Sequence, residues 1–191
     1  MVGKHASLWG IVVFAALLVA GCTPTPEKLL NRALVKMLKE DYPGVITDCS
    51  AVLAKEPNNI KALELRGQAY LHNRDYRLAV DDYSQLIRLE PDEPDAYARR
   101  AWILATAPDD ALRNGKQALE DAQRAADIDG LEYPWAKSLA AAYAEQGDFE
   151  NACRLQGLTT HPEPLDREKK EEKAHLELYR SGKPARLPAK K

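Results

Sequence analysis

The chain has 191 residues, of which 45% are hydrophobic and 29% charged, and its formal net charge is −2. That balance suits one globular domain, excludes a wholly disordered chain, and provides no basic footprint for nucleic acid. Aromatic residues make up only 7% and Trp occurs three times, so Leu and Ala, both strong helix formers, must fill the core and the expected class is all-α.

Residues 1–21 read as a processing signal. Lys4 and His5 precede an apolar run from Leu8 to Ala20 that only Gly10 interrupts, and small residues lead to Cys22. Such a run is too short to span a bilayer core, which takes ~20 residues of helix. The sequence Val19-Ala20-Gly21-Cys22 resembles the bacterial lipobox. The resemblance implies cleavage before Cys22, acylation of its thiol, and a mature chain held on the cell envelope; at ~0.8 kcal/mol per buried CH₂, two or more acyl chains give a stable anchor. Thr23 replaces the Asp that tends to retain such proteins in the inner membrane. It therefore points to the outer membrane, facing the periplasm, in an organism with two membranes. Residues 22–26 form a short tether, extended by Pro24 and Pro26.

From there the chain repeats at an offset of 34 residues: Asp41-Tyr42 recurs as Asp75-Tyr76, Asp48 as Asp82, and Glu56-Pro57 as Glu90-Pro91. Between these markers apolar residues fall at helical spacing, with Leu63, Gly67 and Tyr70 in one stretch and Ala79, Tyr83 and Leu86 in the next. Two helices per repeat follow. Turns are supplied within a repeat by residues 72–75, and between repeats by the Pro-led segments at 57–59 and 91–94.

These residues resemble the tetratricopeptide repeat, with Leu63, Gly67, Tyr70, Tyr76, Ala79, Tyr83 and Pro91 at its signature positions. The resemblance implies a right-handed superhelical solenoid of about four helix hairpins, at residues 27–57, 60–91, 94–130 and 133–158. Gly67 and Ala79 are small so that paired helices approach closely, and Tyr70 and Tyr83 fill the space between repeats. The first repeat keeps Ala33, Tyr42 and Pro57 but has Lys36 and Val45 at signature positions. In the third, the next small residue after Ala101 falls at Ala118, five positions late. The insertion is placed in the loop between its helices, where Pro108 stops the first helix and Gly115 permits the turn into the second. The fourth is marked by Ala140, Tyr143 and Ala152. Residues 163–182 carry the signals of a final helix, with acids early and Gly182 and Pro184 past its end, and are expected to cap the solenoid. The basic tail, residues 183–191, is expected to be disordered.

No catalytic constellation emerges. His72, His161 and His175 lie in different elements with no ligand at metal-binding spacing, and the acids at 92–95 and 109–110 lack the alternation and central Gly of a calcium loop. The expectation is a non-enzyme without metal or cofactor. Cys49 and Cys153 fall in the first and fourth repeats, too far apart for a disulfide on packed-helix spacing, and are expected to be buried free thiols.

The surface left for function is the inner face, which in this family is lined by the first helix of each repeat. Helical spacing places Leu34, Leu65, Gln68, His72, Arg99, Trp102, Lys137 and Ser138 there. Trp and Arg are enriched at binding hot spots; packing of Trp102 beneath the insertion or the final helix is the alternative. The two-carboxylate clamp known in part of this family is absent, because Leu30, Leu34 and Leu65 occupy its positions. The resulting expectation is a lipid-anchored adaptor binding a protein or peptide partner and aiding assembly of an envelope complex. A self-associating module and an accessory activator of a cell-wall enzyme are the alternatives.

Overall fold

The computed structural model describes residues 24–129, 135–158 and 166–190. Residues 1–23, on which the expected processing signal and Cys22 fall, lie outside them. Among the described residues the chain is all-helical: α1 (Pro26–Leu38), α2 (Tyr42–Leu53), α3 (Ile60–His72), α4 (Tyr76–Leu89), α5 (Pro94–Thr106), α6 (Gly115–Asp129), α7 (Trp135–Glu145), α8 (Phe149–Leu158) and α9 (Asp166–Arg180). None of these helices is long and apolar enough to cross a membrane. Consecutive helices pair into four hairpins, each hairpin stacks on the next, and α9 packs on α8.

Local chemistry sets the helix limits. Thr25, Asp41 and Asn59 cap α1, α2 and α3 by accepting from Lys28, Gly44 and Ala62 amides at 3.4, 3.0 and 3.0 Å. Between the helices of a hairpin the chain passes through the left-handed region at equivalent positions: Glu40 (φ 58°), Arg74 (φ 63°) and Gly147 (φ 82°). At each, the next residue's amide returns to a carbonyl in the last turn, as from Asp75 to Tyr70 at 2.8 Å and from Asp148 to Tyr143 at 2.9 Å. The third hairpin lacks this turn. There α5 stops at an extended Ala107 (φ −52°, ψ 140°), and Asn114 caps α6 by accepting from Gln117. Gly115 does not make the turn expected of it; it is the first residue of α6, and a Cβ there would lie 3.1 Å from Glu145 Cγ. The glycine lets α6 approach the end of α7.

Leu63, Ala79 and Tyr83 are buried in one continuous core with Val45, Val52 and Ile103. A Cβ on Gly67 would sit 3.2 Å from two Tyr83 ring carbons, so the aromatic fills the space the glycine leaves. Tyr70 is half-buried, with the Arg66 guanidinium 5.6 Å from its ring centroid. Pro91 is exposed in the turn between hairpins, where its carbonyl accepts from Tyr97 Oη at 3.2 Å. Ala140 and Ala152 are buried and Tyr143 half-buried in the core of the last hairpin.

A polar ladder runs through this apolar stack. Arg32, Arg66 and Arg100, spaced 34 apart, each grip a buried Asp on their own hairpin's second helix: Asp48, Asp82 and Asp121. Arg66 and Arg100 also donate to Ser50 (3.2 Å) and Ser84 (3.0 Å) on the preceding hairpin, which ties neighbouring repeats together. The fourth hairpin has Leu139 and Leu155 at the matching positions, both buried, and the ladder ends there.

Two further expectations need correction. Cys49 is buried and free, but Cys153 is only half-buried. The tail is not loose: Pro184 to Lys190 runs extended along the edge of the stack, and the Leu187 amide donates to the Thr106 carbonyl at 2.7 Å. Its composition suggests disorder, but long-range bonds hold it.

Candidate protein-binding surface

The inner face is built from α1, α3, α5 and α7, and the structure divides it into an open and a covered part. On α1, Leu34, Val35 and Leu38 are 40%, 51% and 87% exposed. Among the described residues no hairpin precedes α1 to cover this apolar stripe. His72, placed on the inner face by the sequence, instead sits at the hairpin edge with its ring stacked on Tyr42 at 4.9 Å.

Between α3 and α5 lies a cavity of about 350 Å³. Leu65 forms its floor, Gln68 and Arg99 reach its walls, and Lys61, Glu64 and Asp95 ring it. Lys61 pairs with Glu64 at 2.9 Å and Arg99 with Asp95. The Tyr83 hydroxyl lies buried beside Arg99, and burial pushes its pKa up. Burial also works against the charge of Arg99, but the neighbouring Tyr83 and Asp95 outweigh this and raise its pKa, so the guanidinium is fixed as a cation. The cavity thus joins an apolar floor to a charged rim.

Beyond Arg99 the face is covered. The Trp102 ring meets the His175 ring of α9 at 5.5 Å between centroids, and Lys137 Nζ stands 4.5 Å from the Trp102 centroid. The final helix therefore crosses Trp102, and of the two sequence alternatives for this residue, packing beneath α9 is the one realised. Ser138 is also removed from the face: it is buried and donates to the Ala98 carbonyl at 2.9 Å, joining α7 to α5. Its small size at a helix contact could have signalled this. The covering of Trp102 had no sequence signal, because helical periodicity does not say where a terminal helix docks.

No protein-family model matches the sequence. Among curated proteins it is 36% identical over 69 residues to sperm-associated antigen 1 of Rattus norvegicus, covering 36% of this chain and 8% of that one. It is 38% identical over 65 residues to a DnaJ protein P58IPK homolog of Arabidopsis thaliana, covering 34% and 13%. Among solved structures, a tetratricopeptide repeat protein from Parabacteroides merdae superposes with a TM-score of 0.69 at 18% identity, covering 88% of this chain and 64% of that one. A thermophilic repeat protein of Thermus thermophilus gives 0.61 at 15% identity, covering 86% and 84%. The fold is a tetratricopeptide-repeat solenoid. The protein MamA from Desulfovibrio magneticus shares it, with a TM-score of 0.61 and 22% identity over 69% of this chain and 71% of that one.

Proposed function

We propose that the protein is an adaptor that binds a segment of another protein on the open part of its inner face, from Leu34 and Leu38 across the Leu65 cavity to Arg99, while an acylated Cys22 holds it on the envelope membrane. The observation that carries the binding half is Leu38, 87% exposed on the same helix as the exposed Leu34 and Val35. Apolar side chains left in water on a rigid face gain free energy when a partner covers them, at ~25 cal/mol per Å². The ion-paired rim of Arg99, Asp95, Lys61 and Glu64 then sets orientation more than affinity. Its partner is a protein segment with apolar anchors followed by polar groups, and assembly of an envelope complex is the service such an anchored adaptor performs.

Site-specific photo-crosslinkers at Leu38 and Gln68 in cells test this reading. One partner captured at both positions, and lost in a Leu34→Asp, Leu38→Asp variant that keeps its helicity, supports it. Capture that is unchanged in the variant places binding elsewhere. A captured second copy, matched by a dimer in light scattering, replaces the adaptor with a self-associating module. Mass analysis of the mature N-terminus tests the anchor independently: a diacylated Cys22 supports it and an unmodified cleavage product removes it.

A further inference from the structure

The edge of the stack, where each first helix turns into its second, holds a second surface with its own chemistry. After α9 the chain reverses at Gly182 (φ 67°), and the Lys183 amide returns to the Leu178 carbonyl at 3.0 Å. The tail then passes the fourth, third and second hairpins in that order, and each contributes a contact. Ala185 is 2% exposed among the alanines of the last two hairpins. Arg186 pairs with Glu145 at 2.8 Å. The Leu187 amide meets the Thr106 carbonyl, and its side chain packs on the main core near Leu112. The Pro188 carbonyl accepts from Tyr76 Oη at 2.6 Å and the Ala189 carbonyl from Arg74 at 2.9 Å, while Lys190 pairs with Asp75.

This is how a receptor reads an extended peptide: bonds to main-chain groups give affinity, and individual side-chain pockets give sequence preference. The receptor groups are prepared for it. Glu145 is already held by Arg113 at 3.0 Å, and its side chain is 14% exposed. The Thr106 carbonyl is available because the insertion ends α5 at an extended Ala107 in place of the usual tight turn. At its far end Lys190 lines a cavity of about 300 Å³ together with Leu78, Pro108 and Leu112. The five-residue insertion, which the packing of the repeats does not require, builds one wall of this channel.

We propose that this edge is a peptide-recognition site for extended segments of the pattern small-Arg-Leu-Pro-x-Lys, and that the chain's own C-terminus is its resident ligand. The tail is joined to α9 through a single turn at Gly182, so it can leave without unpicking a hairpin. A tethered ligand acts at an effective concentration on the order of millimolar, so the tail excludes free peptide until it is released. The site is separate from the inner face, and either reading survives failure of the other.

A fluorescent peptide of residues 183–190, added to the full chain, tests the proposal by anisotropy. In the wild type the tail competes and binding is weak. In Leu187→Asp, or in the double variant Arg186→Glu, Lys190→Glu, whose exposed side chains leave the core untouched, the tail is released and affinity for the peptide rises at least tenfold. Adding Tyr76→Phe to either background lowers that affinity severalfold, and the same peptide with Asp in place of Leu187 fails to bind. Equal affinity for wild type and both tail variants, or no binding to a folded tail variant, overturns the proposal.

Discussion

Arg66 and Asp82 form a two-bonded ion pair inside the second hairpin, with Nε to Oδ2 at 2.8 Å and Nη2 to Oδ1 at 2.6 Å. Asp82 is 4% exposed, so its charge is sustained by Arg66 rather than by water. Burial pushes the Asp82 pKa up, and the guanidinium opposes this. Removing one partner leaves the other buried and uncompensated, which typically costs ~3–5 kcal/mol, whereas an apolar pair of similar volume is often neutral. Arg66→Ala is therefore expected to lower the urea midpoint strongly, and Arg66→Met with Asp82→Leu to recover most of the loss. The fourth hairpin already makes this exchange with Leu139 and Leu155. A double variant no more stable than Arg66→Ala would show that the ladder stabilises the repeats in its own right.

The solenoid was legible because its signals are periodic: Asp41-Tyr42, Asp48 and Glu56-Pro57 recur 34 residues on as Asp75-Tyr76, Asp82 and Glu90-Pro91, and Gly67 leaves the space that Tyr83 fills. The ladder was equally periodic, in Arg32, Arg66 and Arg100 and in Ser50 and Ser84, but charged residues on a helix read as solvated until a buried partner is found. The tail was not legible. Its Pro and Lys content matches a free terminus, and its partners Thr106, Tyr76 and Asp75 lie 81 to 115 positions away in the chain. The docking of His175 on Trp102 is similarly a choice of tertiary packing that no local pattern encodes.

Glycines at two helix positions should respond oppositely to substitution. A Cβ on Gly67 meets the Tyr83 ring at 3.2 Å, while one on Gly157 meets nothing within 4 Å. Gly67→Leu is expected to cost ~1–3 kcal/mol by overpacking. Gly157→Ala, at an exposed position in the last turn of α8, is expected to stabilise by about a few tenths of a kcal/mol through helix propensity. Thermal melts of the two variants check both signs.

The thiols should separate in reactivity. Burial raises the Cys49 pKa to about 12, and the adjacent Asp48 adds to the effect. At pH 8 its thiolate fraction is on the order of 10⁻⁴, and the thiolate is the reactive species. A disulfide reagent is expected to modify Cys153 first and Cys49 only on unfolding, with peptide mapping to assign each site. Rapid labelling of Cys49 in the folded chain would mean that the first hairpin opens locally.

Docking of α9 should depend on pH through His175. Burial, and secondarily the cation of Lys137, bring its pKa down to about 4, while Glu171 acts in the opposite direction. Trp102 and Tyr179 supply the neighbouring rings. In an undocked helix the same imidazole titrates near 6.5. Between these values the undocked state holds a proton that the docked state lacks, so the docked state is favoured fully above pH ~6.5 and progressively less as pH falls toward 4. Asp48 does not contribute in this window, because its hydrogen bond from Arg32 holds its pKa below the usual carboxylate value. Burial raises the Asp82 pKa, and comparison with His175→Leu separates its contribution from that of His175. With Trp9 and Trp135 replaced by Phe, Trp102 emission is expected to shift toward that of an exposed indole between pH 6.5 and 4.5. His175→Leu should abolish the shift; a shift that persists in this variant would assign it to a carboxylate and leave α9 insensitive to acid.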